Sequence, residues 1–134
     1  YGTSIAEVEK ASRGAIAVTD VDVQGVSEYK AVSSGVVAIF VVPPSYDIWV
    51  DRLKRRYATE EEFQQEWPKR RNTAINELTR ALEVPYYHCV INDDLERAVD
   101  ATADIAKRPD TFNRKDDEAR LIARDLLRQI AATI

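Results

Sequence analysis

Two acids set one residue apart, Asp20 and Asp22, stand just ahead of Gln24-Gly25, and five arginines, Arg52, Arg55, Arg56, Arg70 and Arg71, flank a segment that opens at Thr59. The chain begins Tyr1-Gly2-Thr3-Ser4. A phenol and a hydroxyl can grip a phosphate without adding charge, and a carboxylate can accept two hydrogens at once. Local sequence alone also allows plainer roles: Thr3 and Ser4 as helix caps, Tyr1 as a frayed terminus, the two aspartates as solvated strand-end acids. The sequence contains no Gly-x-x-x-x-Gly-Lys-Ser/Thr loop, the pattern whose backbone cradles nucleotide phosphates.

Composition excludes several classes. Lys and Arg number 19 against 23 for Asp and Glu, a net charge of −4, which argues against binding a nucleic acid polymer by phosphate neutralisation. Cys89 is the sole cysteine, so no intrachain disulfide forms and a reducing compartment is expected. His88 and Cys89 are adjacent but lack a second His or Cys, so they support neither a metal site nor a Cys–His nucleophile, and both read as packing residues. The longest apolar run, Val36 to Pro44, is far shorter than the roughly 20 residues of a membrane span. A cytoplasmic protein without membrane contact is the expectation.

The elements that position these residues alternate between strand and helix. Ser4 and Glu7 have capping-box spacing, so a short helix should follow and stop at Gly14. Ala15 to Val21 is β-branched and predicts a strand, followed by a helix from Gly25 to about Ser33. Val36 to Val42 predicts a second strand, stopped by Pro43-Pro44, after which Ser45 caps a helix with Tyr46, Val50, Leu53 and Tyr57 on one face. Thr59 and Glu62 form another capping box, and a break is expected at Pro68, with helix resuming there along Ile75, Leu78 and Leu82. Tyr86 to Ile91 predicts a third strand, and Asp93 with Glu96 caps a helix whose inward residues are Leu95, Val99, Thr102 and Ile105 or Ala106. Asn113 caps a last helix with Ile122, Leu126, Ile130 and Ile134 along one side. Such alternation predicts an α/β fold with a mainly parallel sheet flanked by helices, with ligands at the carboxyl ends of the strands.

Four blocks, Tyr1-Gly2-Thr3-Ser4, Asp20 to Gly25, Ile39 to Ser45 and Val90 to Leu95, occur in the order and spacing of a guanylate kinase, and from Tyr1 to about Ile105 the chain resembles that family. The resemblance implies a partial P-loop nucleoside-monophosphate-kinase-like fold with a helical lid. Residues 1–14 would be the rear of the GMP-binding region, 15–55 and 84–110 the core, 56–83 the lid and following helix, and 111–134 a C-terminal helix, together one partial domain. It also implies that Tyr1 and Thr3 bind the phosphate of GMP, that Asp22 reads the guanine edge, and that Asp20 supports magnesium.

The resemblance further implies, through the family's Arg-Leu-x-x-Arg and Arg-x-x-x-Ala-x-x-Glu patterns, that Arg52, Arg56 and Arg70 are catalytic lid arginines, the last through Ala74 and Glu77, while Arg55 and Arg71 read as solvated. Asn92 corresponds to a residue near the adenine of ATP, or is a turn former after a strand; Asp93 and Asp94 read as caps. Tyr57 stands where these enzymes usually have Gly, about three extra residues including Pro68 separate Arg56 from Arg70, and Tyr86-Tyr87-His88 replaces a Phe-Asp-Tyr. Those departures bear on lid geometry.

The implied activity is transfer of a phosphoryl group from Mg–ATP to GMP by a parent enzyme of which this is the rear portion, with magnesium and ATP as cofactor and co-substrate. The 134 residues alone are expected to be inactive and to hold no tightly bound cofactor. The resemblance also places the phosphate-loop strand between the strands ending at Asp20 and Pro43, so a second copy of the chain or a preceding segment is expected to cover the edges left open. The alternative is a non-catalytic guanylate-kinase-like module that binds other proteins.

Overall fold

The computed structural model describes residues 17–134. Tyr1, Thr3, the capping box at Ser4 and Glu7, the helix expected before Gly14, and Ala15 and Ile16 of the expected first strand lie outside the described residues. Contacts divide the chain into Tyr1–Val36 and Val37–Ile134.

In the first unit, residues 17–22 carry no strand pairing and lead into helix α1, Val23–Val32. The expected strand over Ala15 to Val21 is therefore corrected in its described part. A β-branched run becomes a strand only where another strand takes its N–H and C=O groups, and among the described residues the sheet consists of two other segments. Val18 is accordingly 92% exposed. Asp22 is the N-cap of α1, its Oδ1 accepting the Gly25 N–H at 2.8 Å. Gly25 permits this turn because a Cβ there would stand 2.9 Å from the Val21 Cβ.

The second unit is built on strands β1, Ala38–Val42, and β2, Tyr87–Ile91, paired in parallel with Ala38 opposite Tyr87 and Val42 opposite Ile91. The Asn92 N–H extends the ladder by donating to the Val42 carbonyl at 2.8 Å. Parallel strands need a long crossover, supplied by helices α2, Tyr46–Lys54, and α3, Glu60–Glu83. Helices α4, Leu95–Lys107, and α5, Arg114–Ala131, follow β2. Val42 and Cys89 pack with Leu78 of α3 and with Ala119, Ala123, Leu126 and Ile130 of α5. Val90 packs with Ala101 and Ile105 of α4. The sheet is thus covered on both faces, as its apolar strands require.

Local sequence explains most boundaries. Ser45 Oγ accepts the Ile48 N–H at 3.2 Å, and Thr59 Oγ1 accepts that of Glu62 at 3.2 Å, while the Glu62 carboxylate reaches back to the Ala58 N–H at 3.0 Å. The break expected at Pro68 does not occur: α3 runs 24 residues through it. Proline leaves the Gln64 carbonyl without its helical donor, but both residues are exposed, so water serves instead. Rings from Trp49, Trp67 and Phe63, with centroids 5.6 and 5.5 Å apart in succession, brace the N-terminal turns of α3.

Three further corrections concern α4 and α5. Asp94, not Asp93, caps α4, accepting the Arg97 N–H at 3.0 Å. The inward stripe is Ala98, Ala101 and Ile105, whereas Leu95 and Val99, expected inside, are 76% and 56% exposed. Alanines let the helix approach the sheet closely, and that decides which of two apolar faces turns inward. Ile134 lies beyond the end of α5 and is 79% exposed.

The outer edge of β2 is closed by side chains rather than by a strand. Asp116 Oδ1 accepts the Cys89 N–H at 2.8 Å, and Arg120 donates through Nη2 to the Tyr87 carbonyl. Asp116 Oδ2 also meets His88 Nδ1 at 2.9 Å, and Arg120 Nε lies 3.3 Å from Asp116 Oδ1. His88, read from sequence as packing, is therefore part of the polar seam that docks α5.

Candidate functional site

At the carboxyl end of β1 the chain forms a cavity of about 310 Å³. Its polar rim comes from Arg52 and Arg56 on α2 and the turn after it, Arg70, Thr73 and Glu77 on α3, and Asn92 after β2; Phe40, Trp49, Leu78 and Leu126 supply apolar walls. Arg70, Ala74 and Glu77 share one face of α3 because spacings of four and three residues stack along a helix. Three guanidinium groups face one carboxylate among these residues, so the cavity is net cationic. Its volume is at the lower end of the roughly 300–1,000 Å³ typical of small-molecule sites.

Two of the arginines are held in place by polar contacts. Arg52 Nη2 donates to the Asn92 carbonyl at 3.0 Å, tying α2 to the end of β2. Arg70 Nε donates to the Tyr57 hydroxyl at 2.8 Å. Arg55 instead pairs with Asp51 at 2.7 Å, and Arg71 donates to the Thr133 carbonyl at 3.4 Å, tying α3 to the end of α5. Neither of these lines the cavity.

The structure thus brings Arg52, Arg56, Arg70 and Asn92 together. Asp20 and Asp22 belong to the first unit, where Asp20 is exposed in the extended run and Asp22 caps α1. Asp22 Oδ1 is engaged by Gly25, which leaves Oδ2 as the carboxylate oxygen outside that bond. Tyr1 and Thr3 lie outside the described residues. Trp49, Thr73 and Leu126 were not anticipated; Thr73, three residues after Arg70 on the same helix face, was the one with a local signal.

Cys89 is fully buried, and burial pushes its thiol from 9.0 up to about 11, with the Arg120 charge pulling down and the Asp116 charge pushing up. It stays protonated at neutral pH and serves the core, not a nucleophilic site. Among the described residues no group of three His, Cys, Asp or Glu side chains gathers to hold a metal, and no helix is long and apolar enough to cross a membrane.

The sequence model of the guanylate kinase family matches residues 1–108, and the chain belongs to that family. It is 38% identical over 99 residues to guanylate kinase 1 of Oryza sativa subsp. japonica, a match covering 72% of this chain and 25% of that protein. It is 35% identical over 99 residues to the guanylate kinase of Neisseria gonorrhoeae, covering 73% and 46%, and 35% identical over 100 residues to that of Rickettsia felis, covering 74% and 50%. The chain therefore spans a quarter to a half of the length of these curated relatives. No solved structure matches it.

Proposed function

We propose that these residues are the acceptor and lid portion of an ATP-dependent guanylate kinase, which converts ATP and GMP to ADP and GDP. The observation that carries the reading is the convergence of Arg52, Arg56, Arg70 and Asn92 on one cationic cavity at a strand end. Guanidinium groups match phosphate oxygens in geometry and charge, and phosphoryl transfer asks for little else from side chains than positioning and stabilisation of charge on those oxygens. In this reading Arg52, Arg56 and Arg70 hold the transferred phosphoryl, Asn92 sits beside the adenine, Tyr1 and Thr3 bind the GMP phosphate, and Asp22 accepts from guanine through Oδ2.

The donor set suits a magnesium ion carried on the nucleotide rather than one caged by protein. Mg²⁺ usually takes one or two carboxylates with substrate phosphates, and Asp20 is the carboxylate that would support it. Bound there, the ion would neutralise charge on the phosphates. With no Gly-x-x-x-x-Gly-Lys-Ser/Thr loop in the sequence, the 134 residues by themselves bind nucleotide weakly and transfer nothing.

Isothermal titration of this chain with ATP, and separately with GMP, tests the reading. Saturable ATP heat that is lost in Arg56→Ala, and GMP heat that is lost in Asp22→Ala, are the expected results. No heat from either nucleotide at millimolar concentration overturns it.

A further inference from the structure

We propose that Tyr57 is a positioning residue for Arg70, holding the arginine through its phenol oxygen so that the guanidinium is ready for a phosphate. This rests on the phosphate reading of the cavity. An arginine side chain has many rotamers, and fixing one before the ligand arrives lowers the entropic cost of binding. The Arg70 Nε–H donates to the Tyr57 oxygen at 2.8 Å, so both terminal nitrogens, which make the paired contacts to phosphate oxygens, lie outside this bond.

The anchor is itself fixed. Tyr57 stands edge-on to Phe63, with ring centroids 5.9 Å apart, and Phe63 is only 3% exposed. Phe63 in turn packs on Trp67 at 5.5 Å and carries the Lys54 ammonium 5.3 Å above its ring. The backbone of the same turn is tied down, since the Arg56 N–H donates to the Leu53 carbonyl at 3.0 Å and that of Tyr57 to Lys54 at 3.1 Å. One turn therefore presents Arg56 directly and Arg70 through Tyr57, so that a cavity arginine of the turn and one of α3 share a single support.

Titration of the full chain with inorganic tripolyphosphate separates the outcomes. Tyr57→Phe keeps the ring and removes only the hydroxyl; it should weaken binding about three- to tenfold, with melting unchanged. In an Arg70→Lys background, where Nε–H is gone, the same substitution should change nothing, which a purely structural role for Tyr57 would not produce. Wild-type affinity in Tyr57→Phe, or equal weakening in both backgrounds, overturns the proposal while leaving the phosphate reading intact. Failure of the wild-type chain to bind tripolyphosphate removes that reading and the proposal together. Should Tyr57→Phe melt lower, the wild-type chain still decides: the Arg70 Nε–H proton should exchange with water more slowly than that of exposed Arg124, and equal exchange overturns the assignment.

Discussion

Arg52 reaches 40 residues along the chain to donate from Nη2 to the main-chain carbonyl of Asn92, whose own N–H is already committed to Val42. The backbone of Asn92, just past the end of β2, is held through both its N–H and its carbonyl, and one guanidinium serves both the sheet end and the cavity. Arg52→Ala should lower stability by about 1 kcal/mol and weaken ATP binding in the same variant. Arg52→Lys should recover part of the binding, because a charge remains, but less than all of it, because the planar fork is lost. Urea melts and titration calorimetry read the two effects, and unchanged ATP affinity in Arg52→Ala would remove this arginine from the site.

Asp116 satisfies three groups at once: the Cys89 N–H, the His88 ring and Arg120. Asp116→Ala leaves the part-buried Cys89 N–H without its acceptor and the part-buried Arg120 with the Tyr87 carbonyl but no counter-charge, at a cost on the order of 3 kcal/mol. The Cys89 amide should also exchange with solvent faster, as read by hydrogen exchange. A loss below about 0.5 kcal/mol, the usual effect of a surface change, would show that the seam contributes little.

The buried thiol of Cys89 supplies a pH dependence whose sign is fixed. Its proton is held more tightly in the folded protein, at about 11 against 9.0, so the stability it confers is complete below pH 9 and is lost as pH rises through 11. Other groups titrate in that range, so Cys89→Ala is the reference: wild type should lose on the order of 2 kcal/mol relative to it between pH 8.5 and 11. Parallel melting curves for the two proteins across that window would contradict the burial argument. At neutral pH, alkylation by iodoacetamide should be slow until the protein is unfolded.

Pro68 lies inside an exposed stretch of α3. A proline in a helix interior costs about 3 kcal/mol against alanine, less where water serves the freed carbonyl, so Pro68→Ala should stabilise the protein by roughly 1 to 3 kcal/mol. Thermal melting measures it. A destabilised Pro68→Ala would mean that the ring makes a contact which outweighs the missing hydrogen bond.

Much of the fold is local and so was readable. The Val36 to Val42 run ends at Pro43-Pro44, and Ser45, Thr59 and Asn113 cap helices where their side-chain oxygens predict. Periodicity failed where two adjacent helix faces were both apolar: in α4 the alanines of one face won over Leu95 and Val99 because the sheet admits a close helix. Over its described part, residues 17–21, the expected first strand does not form, because β propensity cannot supply a pairing partner. At the site, the arginine spacings were visible only through family likeness. The partners of those arginines were not visible at all, since Tyr57 and the Asn92 carbonyl meet them across 13 and 40 residues with no pattern to announce it.

Closure of the β2 edge by Asp116 and Arg120 also sets an order of events at the ribosome. A chain emerges from its N-terminal end, so β1 and β2 leave the ribosome before Asp116 and Arg120, the two side chains that shield the β2 edge. Until residue 120 appears, the Cys89 N–H and the Tyr87 carbonyl are open to any strand nearby. A chain cut at residue 108, where the match to the family stops, would keep that nascent condition permanently. It should gather into aggregates during expression, whereas the 134-residue chain carries its own shield.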